Sequence, residues 1–243
     1  MSNIIKTPKT TDELTLDSLT KSLEVKSLKD LVRVKQTENS FLLIDCSGSM
    51  SEKMRNGRER ISGLREVVSQ VQSQKQVPMV AFGPRMVEGK PVTYDMIYSG
   101  EADRLQALPW GFVTEVPDPG GNTPLKEAIE FARVQGAGRL VVISDGEPGD
   151  PQGCMEAARM FGGRIDVIFV GDEGDMGSIF LERLAESTGG QRYQGDLTDP
   201  KMLSGAVVGL LMGEVLETVG DDEPDVDEDD EDDDDDDDDD DDI

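Results

Sequence analysis

The stretch FLLIDCSGSM, residues 41–50, joins an apolar run directly to a group of polar side chains. The run is short, continuous and rich in branched residues, as in a strand that is buried on both faces. Asp45, Ser47 and Ser49 follow at alternate positions, and alternate side chains of an extended segment point the same way. The stretch therefore predicts a buried strand whose carboxyl end carries three converging oxygen donors.

Similar apolar runs recur along the chain and alternate with helical patterns. The predicted strands are residues 41–45, 77–82, 92–98, 139–144, 165–171 and 191–195. Apolar residues at helical spacing predict helices near 61–71, 125–132, 155–161, 179–188 and 199–212. This alternation is typical of a doubly wound α/β fold, in which a mostly parallel central sheet is flanked by helices. The EGKP sequence at 88–91 fits a local hairpin, so one antiparallel edge strand is expected.

Charge is distributed unevenly and suggests the domain limits. The formal net charge is −28, but 20 of the 52 acidic side chains lie in residues 221–243. The other residues carry 24 basic and 32 acidic side chains, a net charge of −8. Because the last segment has almost nothing to bury, a disordered acidic tail is predicted at 220–243. Leucines and valines at helical intervals predict an N-terminal helical extension at 1–37, and the main domain is predicted at 38–219.

Several functional classes are disfavoured by residue type. The body has no Lys/Arg-rich block, so nucleic acid is not an expected ligand. The start lacks the apolar core of a secretory signal, and the apolar run at 206–212 is shorter than the roughly 20 residues of a membrane span. A cytoplasmic protein without membrane contact is therefore expected. Cys46 and Cys154 lack disulfide or zinc spacing and are predicted to be buried thiols, with Cys46 facing away from Asp45.

Catalysis is also not expected. The sequence contains no histidine, which removes the commonest general base and every Ser-His or Cys-His nucleophile pair. No glycine-rich stretch matches the phosphate-binding pattern G-x-x-x-x-G-K-[ST]. The chain is therefore expected not to be an enzyme.

Three polar clusters are expected at one edge of the sheet. They are DCSGS at 45–49, GGNTP at 120–124 and SDGEP at 144–148. Each alone fits a turn or a helix cap, and Thr123 before Pro124 fits an N-cap in particular. In a parallel sheet, however, ligands bind beyond the carboxyl ends of the strands. The clusters together supply five oxygen donors, namely Asp45, Ser47, Ser49, Thr123 and Asp145. An all-oxygen set of this kind suits Mg²⁺, and Mn²⁺ and Ca²⁺ are the alternative ions.

These motifs resemble the metal-ion-dependent adhesion site (MIDAS) of von Willebrand factor type A (vWA) domains, specifically the intracellular bacterial or phage type. The DxSxS, Thr and Asp elements occur in the family's chain order, and the resemblance covers about residues 38–215. It implies a mostly parallel sheet flanked by helices, with an antiparallel edge strand. It also implies that the five oxygen donors hold a metal whose open position is filled by a partner's carboxylate. The charged segment EKMRNGRER at 52–60 is unusual after such a site.

The resemblance implies a non-catalytic, Mg²⁺-dependent protein-binding module, an adaptor or assembly factor whose partner supplies an Asp or Glu to the metal. Intracellular members often work beside AAA+ ATPases, so a MoxR-type AAA+ ATPase is an expected partner. Two alternatives stay open: an accessory subunit of a metal-chelatase-type enzyme, and an acidic chaperone or nucleic-acid mimic that acts through its tail. Three roles stay open for the tail itself, namely docking on a partner, occupying the open metal position, and solvation.

Overall fold

A computed structural model describes residues 39–92, 96, 99–172 and 174–214 as one sheet with helices on both faces. The strands are β1 Ser40–Asp45, β2 Met79–Val87, β3 Lys90–Pro91, β4 Leu108–Val113, β5 Arg139–Ser144, β6 Arg164–Phe169 and β7 Arg192–Gln194. The helices are α1 Arg60–Gln74, α2 Glu101–Arg104, α3 Leu125–Val134, α4 Pro151–Phe161, α5 Met176–Glu186 and α6 Pro200–Leu211, with a 3-10 turn at Gly48–Ser51. The predicted helical extension (1–37) and acidic tail (220–243) lie outside the described residues.

The sheet is mostly parallel and has the strand order β3-β2-β1-β5-β6-β7, with β4 also paired to β2. Strands β2, β1, β5, β6 and β7 are parallel neighbours, whereas β3 and β4 both run antiparallel to β2. The chain passes from β1 to β2 on one side and later places β5 on the other side of β1. Strand order therefore reverses between β1 and β5, which confirms the expected doubly wound α/β class. Ligand sites in such sheets lie at this reversal, beyond the carboxyl ends of the strands.

Apolar side chains of the sheet form two cores, one under each helical layer. In β1, Leu42 and Ile44 belong to the core that includes α1 and α6. Phe41 and Leu43 belong to the opposite core, with α3, α4 and α5. A central strand covered on both faces needs apolar residues at successive positions, which explains the continuous run FLLI.

Aspartate followed by proline sets the start of two helices. The carboxylates of Asp150 and Asp199 accept hydrogen bonds from backbone N–H groups three residues ahead, at 2.9 and 3.1 Å. Pro151 and Pro200 occupy the first helical positions, where their fixed φ suits a helix and no N–H is needed. α4 and α6 therefore begin where their sequences dictate.

The antiparallel side of the sheet differs from the prediction of a strand at 92–98. Glu88 and Gly89 make the turn between β2 and β3 with φ values of 51° and 77°, so the expected hairpin is present. It pairs only two residues of β3. Val92 and Met96 lie outside any strand, and the remaining residues of 92–98 lie outside the described part of the chain.

The long antiparallel edge strand is β4, which the sequence pattern did not predict. Pro109 and Gly111 interrupt its apolar run, and both residues are depleted in strands. The pairing of β4 with β2 is irregular between Phe82 and Met86. Irregular edge pairing of this kind tolerates a proline that a central strand would not.

Candidate metal centre

The five predicted donors lie at the carboxyl edge of the parallel strands, at the reversal of strand order. Asp45 ends β1, and Ser47 and Ser49 lie in the turn that follows it. Asp145 comes directly after β5, and Thr123 lies two residues before α3. The fold thus gathers residues that are up to 100 positions apart in the sequence.

Hydrogen bonds connect four of these residues. The hydroxyl oxygens of Ser47 and Ser49 are 3.0 Å apart, and the Ser49 hydroxyl donates to Asp145 Oδ1 at 2.7 Å. Asp45 Oδ1 accepts from the Ser47 backbone N–H at 2.8 Å. With Mg²⁺–oxygen distances of about 2.1 Å, adjacent ligands of an octahedral ion lie roughly 3 Å apart. The side-chain oxygens of Ser47, Ser49 and Asp145 have this spacing, which is also that of ordinary hydrogen bonds, so these three oxygens are compatible with a small divalent ion.

Thr123 is held at the same edge by hydrogen bonds between loop backbones. The Gly48 N–H donates to the carbonyl of Gly121 at 3.2 Å, and the Gly149 N–H donates to the carbonyl of Thr123 at 3.2 Å. The Thr123 loop therefore bridges the loops that follow β1 and β5. Its hydroxyl makes no hydrogen bond to any residue that the structure describes, so its lone pairs are available to an ion.

Helix capping does not explain these hydroxyl groups. Ser47 precedes the 3-10 turn, but its side chain makes no cap hydrogen bond there. The residue at the N-cap of α3 is Pro124, also without a side-chain cap. The alternative assignment of Thr123 as an N-cap is therefore wrong, and its role as a metal ligand stays a prediction.

Two glycines fix the loops at very short backbone distances. A Cβ added at Gly83, which has a φ of 129°, would lie 2.5 Å from the carbonyl of Cys46. A Cβ added at Gly121, with a φ of 72°, would lie 2.4 Å from the carbonyl oxygen of Gly83. Cys46 itself is fully buried in the core between β1 and α1, as the alternation predicted. The donor loops are thus positioned by tight backbone packing.

Asp45 is a fully buried carboxylate that forms no ion pair with any described residue. Besides the Ser47 N–H, its donor is the Ser144 hydroxyl, which is 2.6 Å from Oδ2. Burial, and then the charge of Asp145, raises the pKa of Asp45 to about 6, although both hydrogen bonds lower it. Burial also raises the pKa of Asp145. Both carboxylates would therefore gain from a nearby cation.

Two further residues of the site, Ser144 and Arg60, were not predicted. Ser144 closes the apolar run of β5. Arg60 opens α1, and its side chain is 10% exposed. Its guanidinium lies 2.8 Å from Glu52, 3.2 Å from Asp145 Oδ2 and 3.2 Å from Asp172. The unusual charged segment after the site was the available signal for Arg60, and Ser144 belongs to the predicted polar cluster at 144–148, although it was not named as a donor.

Known proteins resemble this chain in structure only. No protein-family model matches the chain, and no curated protein matches it. Among solved structures, it is similar to an aerotolerance-related membrane protein from Bacteroides fragilis NCTC 9343 with multiple mutations to serines. The sequence identity between the two is 18%, the match covers 72% of this chain and 98% of that chain, and the TM-score is 0.46.

A second solved structure to which the chain is similar is a von Willebrand factor type A from Catenulispora acidiphila. The identity is 13% over 72% of this chain and 42% of that one, with a TM-score of 0.47. Structural neighbours thus include a vWA domain. Both similarities concern the fold. Within the described part of this chain, no helix is long and apolar enough to cross a membrane.

Proposed function

We propose that this chain is a non-catalytic, Mg²⁺-dependent protein-binding module. The observation that carries the proposal is the run of oxygen atoms from Ser47 through Ser49 to Asp145, spaced as ion ligands at the reversal of strand order. When bound, a divalent ion supplies positive charge and an open position for a partner's carboxylate. Asp45, the two serines, Thr123 and Asp145 would hold the ion, and hydrogen bonds from the Ser47 N–H and the Ser144 hydroxyl fix the Asp45 carboxylate.

The protein's own side chains neutralise such an ion incompletely. Three of the five donors are neutral hydroxyls, and Asp145 shares its charge with Arg60. Among the described residues, no group of three or more His, Cys, Asp or Glu side chains is arranged to hold a metal. An external carboxylate would therefore bind an ion in this site more strongly than a neutral ligand would, which favours an Asp or Glu of a protein partner.

The surrounding groups favour binding over catalysis. The sequence has no histidine. Burial raises the pKa of the Cys46 thiol well above its ordinary value and that of Cys154 to about 12. Because the thiolate is the nucleophilic form, neither cysteine is suited to nucleophilic catalysis at neutral pH.

Calorimetric titration of the EDTA-stripped full chain with Mg²⁺ tests the metal site. The wild type is expected to bind, and Ser47→Ala combined with Ser49→Ala is expected to lower the affinity at least about 10-fold. Ser73→Ala combined with Ser187→Ala is the matched control, because both exposed hydroxyls donate to carbonyls of their own helices. A wild type that does not bind Mg²⁺, or a double variant that binds equally well, contradicts the proposal.

Capture of partners on the full chain, with Mg²⁺ and with EDTA, tests the binding role. A supporting partner, once purified, loses binding in EDTA, loses it to the chain with both site serines replaced, and loses it when one of its own Asp or Glu residues is substituted. Binding that does not change in EDTA or when these serines are replaced favours the alternative of an acidic chaperone or nucleic-acid mimic that acts through its tail. The MoxR-type ATPase and the cytoplasmic location are proposals that rest on the family resemblance, and ATP hydrolysis by a captured partner tests the first.

A further inference from the structure

An open groove of ≈ 990 Å³ lies beside the metal centre. It runs between the charged segment after the site and the loops that follow β6 and β7, and its polar lining includes Lys53, Arg55, Asn56, Arg60, Gln194 and Thr198. Arg60 both lines the groove and pairs with Asp145 of the metal centre. The groove and the metal centre therefore adjoin through one side chain.

The groove carries positive charge without a partner. Lys53 and Arg55 are exposed and form no ion pair with any residue that the structure describes. Two acidic side chains also line the groove, which therefore holds three basic and two acidic residues. Asp172 pairs with the shared arginine at 3.2 Å, and Asp196 accepts from the N–H and the hydroxyl of Thr198 at 2.7 and 2.6 Å. In a chain of net charge −28, such a surface favours an anionic occupant.

A small hairpin presents these two cations. Lys53 and Glu59 form an antiparallel bridge. The Met54 N–H donates to the carbonyl of Arg58, and the Gly57 N–H donates to the carbonyl of Met54, both at 2.8 Å. Because this backbone is hydrogen-bonded, little backbone conformational entropy is lost when a ligand binds, and the ordering cost falls on the Lys53 and Arg55 side chains.

The acidic C-terminal segment is long enough to reach the groove. The last described residue, Glu214, follows α6, whose Leu211 carbonyl accepts a hydrogen bond from Ser40 at the amino end of β1. The groove lies at the other end of the strands, roughly 20 Å away along six residues. The chain from 215 to 243 spans up to roughly 95 Å when extended. Its last 23 residues contain 20 acidic side chains.

We infer that the groove binds the Asp-rich segment 221–243 of the same chain. Lys53 and Arg55 bind neighbouring carboxylates of this segment, and a further carboxylate faces the open side of the metal centre. The segment thereby acts as an internal competitor that an acidic partner must displace. The contact with the metal rests on the proposed function, whereas docking in the groove does not.

Paramagnetic relaxation in the full chain tests this inference. Val226→Cys places the only accessible thiol inside the acidic segment without removing a charge, since Cys46 and Cys154 are buried. A nitroxide on this thiol is expected to broaden the amide signals of residues 53–56 and 194–198. Raising the ionic strength from about 0.1 M to 1 M, which shortens the Debye length from about 10 to 3 Å, is expected to abolish the broadening.

Two variants locate the contact. Lys53→Ala combined with Arg55→Ala is expected to remove the broadening at the groove. Lys90→Ala combined with Arg133→Ala is the matched control and is expected to leave it unchanged, because these exposed cations also lack ion pairs with described residues and line no part of the groove. Absence of broadening at the groove, or broadening that survives the first variant, overturns the inference.

Two further arms separate the remaining outcomes. Mixing isotope-labelled chains that lack nitroxide with unlabelled chains that carry it detects contact between molecules, and broadening found only in this mixture overturns docking within one chain. Recording spectra in EDTA and in Mg²⁺ separates the two proposals. If the segment docks in a protein that does not bind Mg²⁺, the proposed function is refuted and the inference about the groove stands. If the protein binds Mg²⁺ and the segment does not dock, the inference about the groove is refuted and the proposed metal site stands.

Discussion

Asp45→Asn is expected to stabilise the metal-free protein, although Asp45 is buried and fully hydrogen-bonded. Its pKa of about 6 lies roughly 2 units above the ordinary value, and each unit corresponds to about 1.4 kcal/mol. Ionised Asp45 therefore costs the fold about 3 kcal/mol at pH 7. Asparagine removes the charge, and its amide can accept from the Ser47 N–H and donate to the Ser144 hydroxyl, which rotates to accept.

Asp166→Asn is the matched control, since Asp166 is also fully buried. Its carboxylate accepts from Arg139 at 2.7 Å and from Arg164 at 2.8 Å. Breaking a buried ion pair by removing one charge costs about 3–5 kcal/mol. The same chemical change is therefore expected to stabilise the protein at Asp45 and to destabilise it at Asp166.

Urea denaturation at pH 7 measures both effects on the full chain. With EDTA, the Asp45→Asn midpoint is expected to rise by about 1 M or more, given slopes of about 1–3 kcal/mol per M. With Mg²⁺ at about 100 times its Kd, the wild type is expected to gain about 2.7 kcal/mol and the variant nothing. An Asp45→Asn protein that is less stable than wild type in EDTA, or that is still stabilised by Mg²⁺, refutes the reasoning.

Three other predictions concern the same site. First, because the pKa of Asp45 is raised from 3.8 to about 6 in the fold, the penalty of its ionisation builds up between these two pH values and is complete above about pH 6. The stability gap between Asp45→Asn and wild type in EDTA should therefore fall to about half between pH 7 and pH 5, as urea titrations at both pH values will show. Second, Gly83→Ala should lower the free energy of unfolding by about 1–3 kcal/mol and weaken Mg²⁺ binding. Gly57→Ala, which has open space at its Cβ, should leave the Mg²⁺ affinity unchanged; calorimetric titration measures both affinities. Third, Arg60→Gln should lower stability in EDTA but raise Mg²⁺ affinity, because a competing cation at Asp145 is removed; a fall in affinity argues against that competition.

Local sequence predicted the parts of the site that depend on local geometry. Asp45, Ser47 and Ser49 follow one buried strand, but Ser49 lies in the 3-10 turn Gly48–Ser51 and not in an extended segment, so strand periodicity does not account for its contacts with Ser47 and Asp145. Ser144 and Arg60 reach the site through contacts that span 99 and 85 residues. No local pattern specifies such contacts; the predicted parallel sheet brought Asp45, Thr123 and Asp145 to one edge, and the resemblance assigned them to a known kind of metal site.

The difference between local and long-range information also explains why strand β4 was not predicted. The central strands are buried on both faces, so hydrophobicity alone marks them. Strand β4 is an edge strand with a proline and a glycine, and its Leu108 and Phe112 side chains are 46% and 40% exposed. Its position depends on pairing with β2, which lies about 30 residues earlier in the chain. A run with this composition carries little strand signal of its own.

A docked acidic segment limits which partners can bind. At an effective local concentration of about 1 mM, a segment that binds with a Kd of about 0.1 mM would weaken a competitor roughly 10-fold. A partner that offers only carboxylates has no advantage over this segment. The groove also contains apolar side chains, namely Met54, Val170 and Leu197, whereas the segment offers only Val226, Ile243 and one proline beside its carboxylates. Selective recognition therefore requires a partner that combines an acidic residue for the metal centre with apolar residues for the groove.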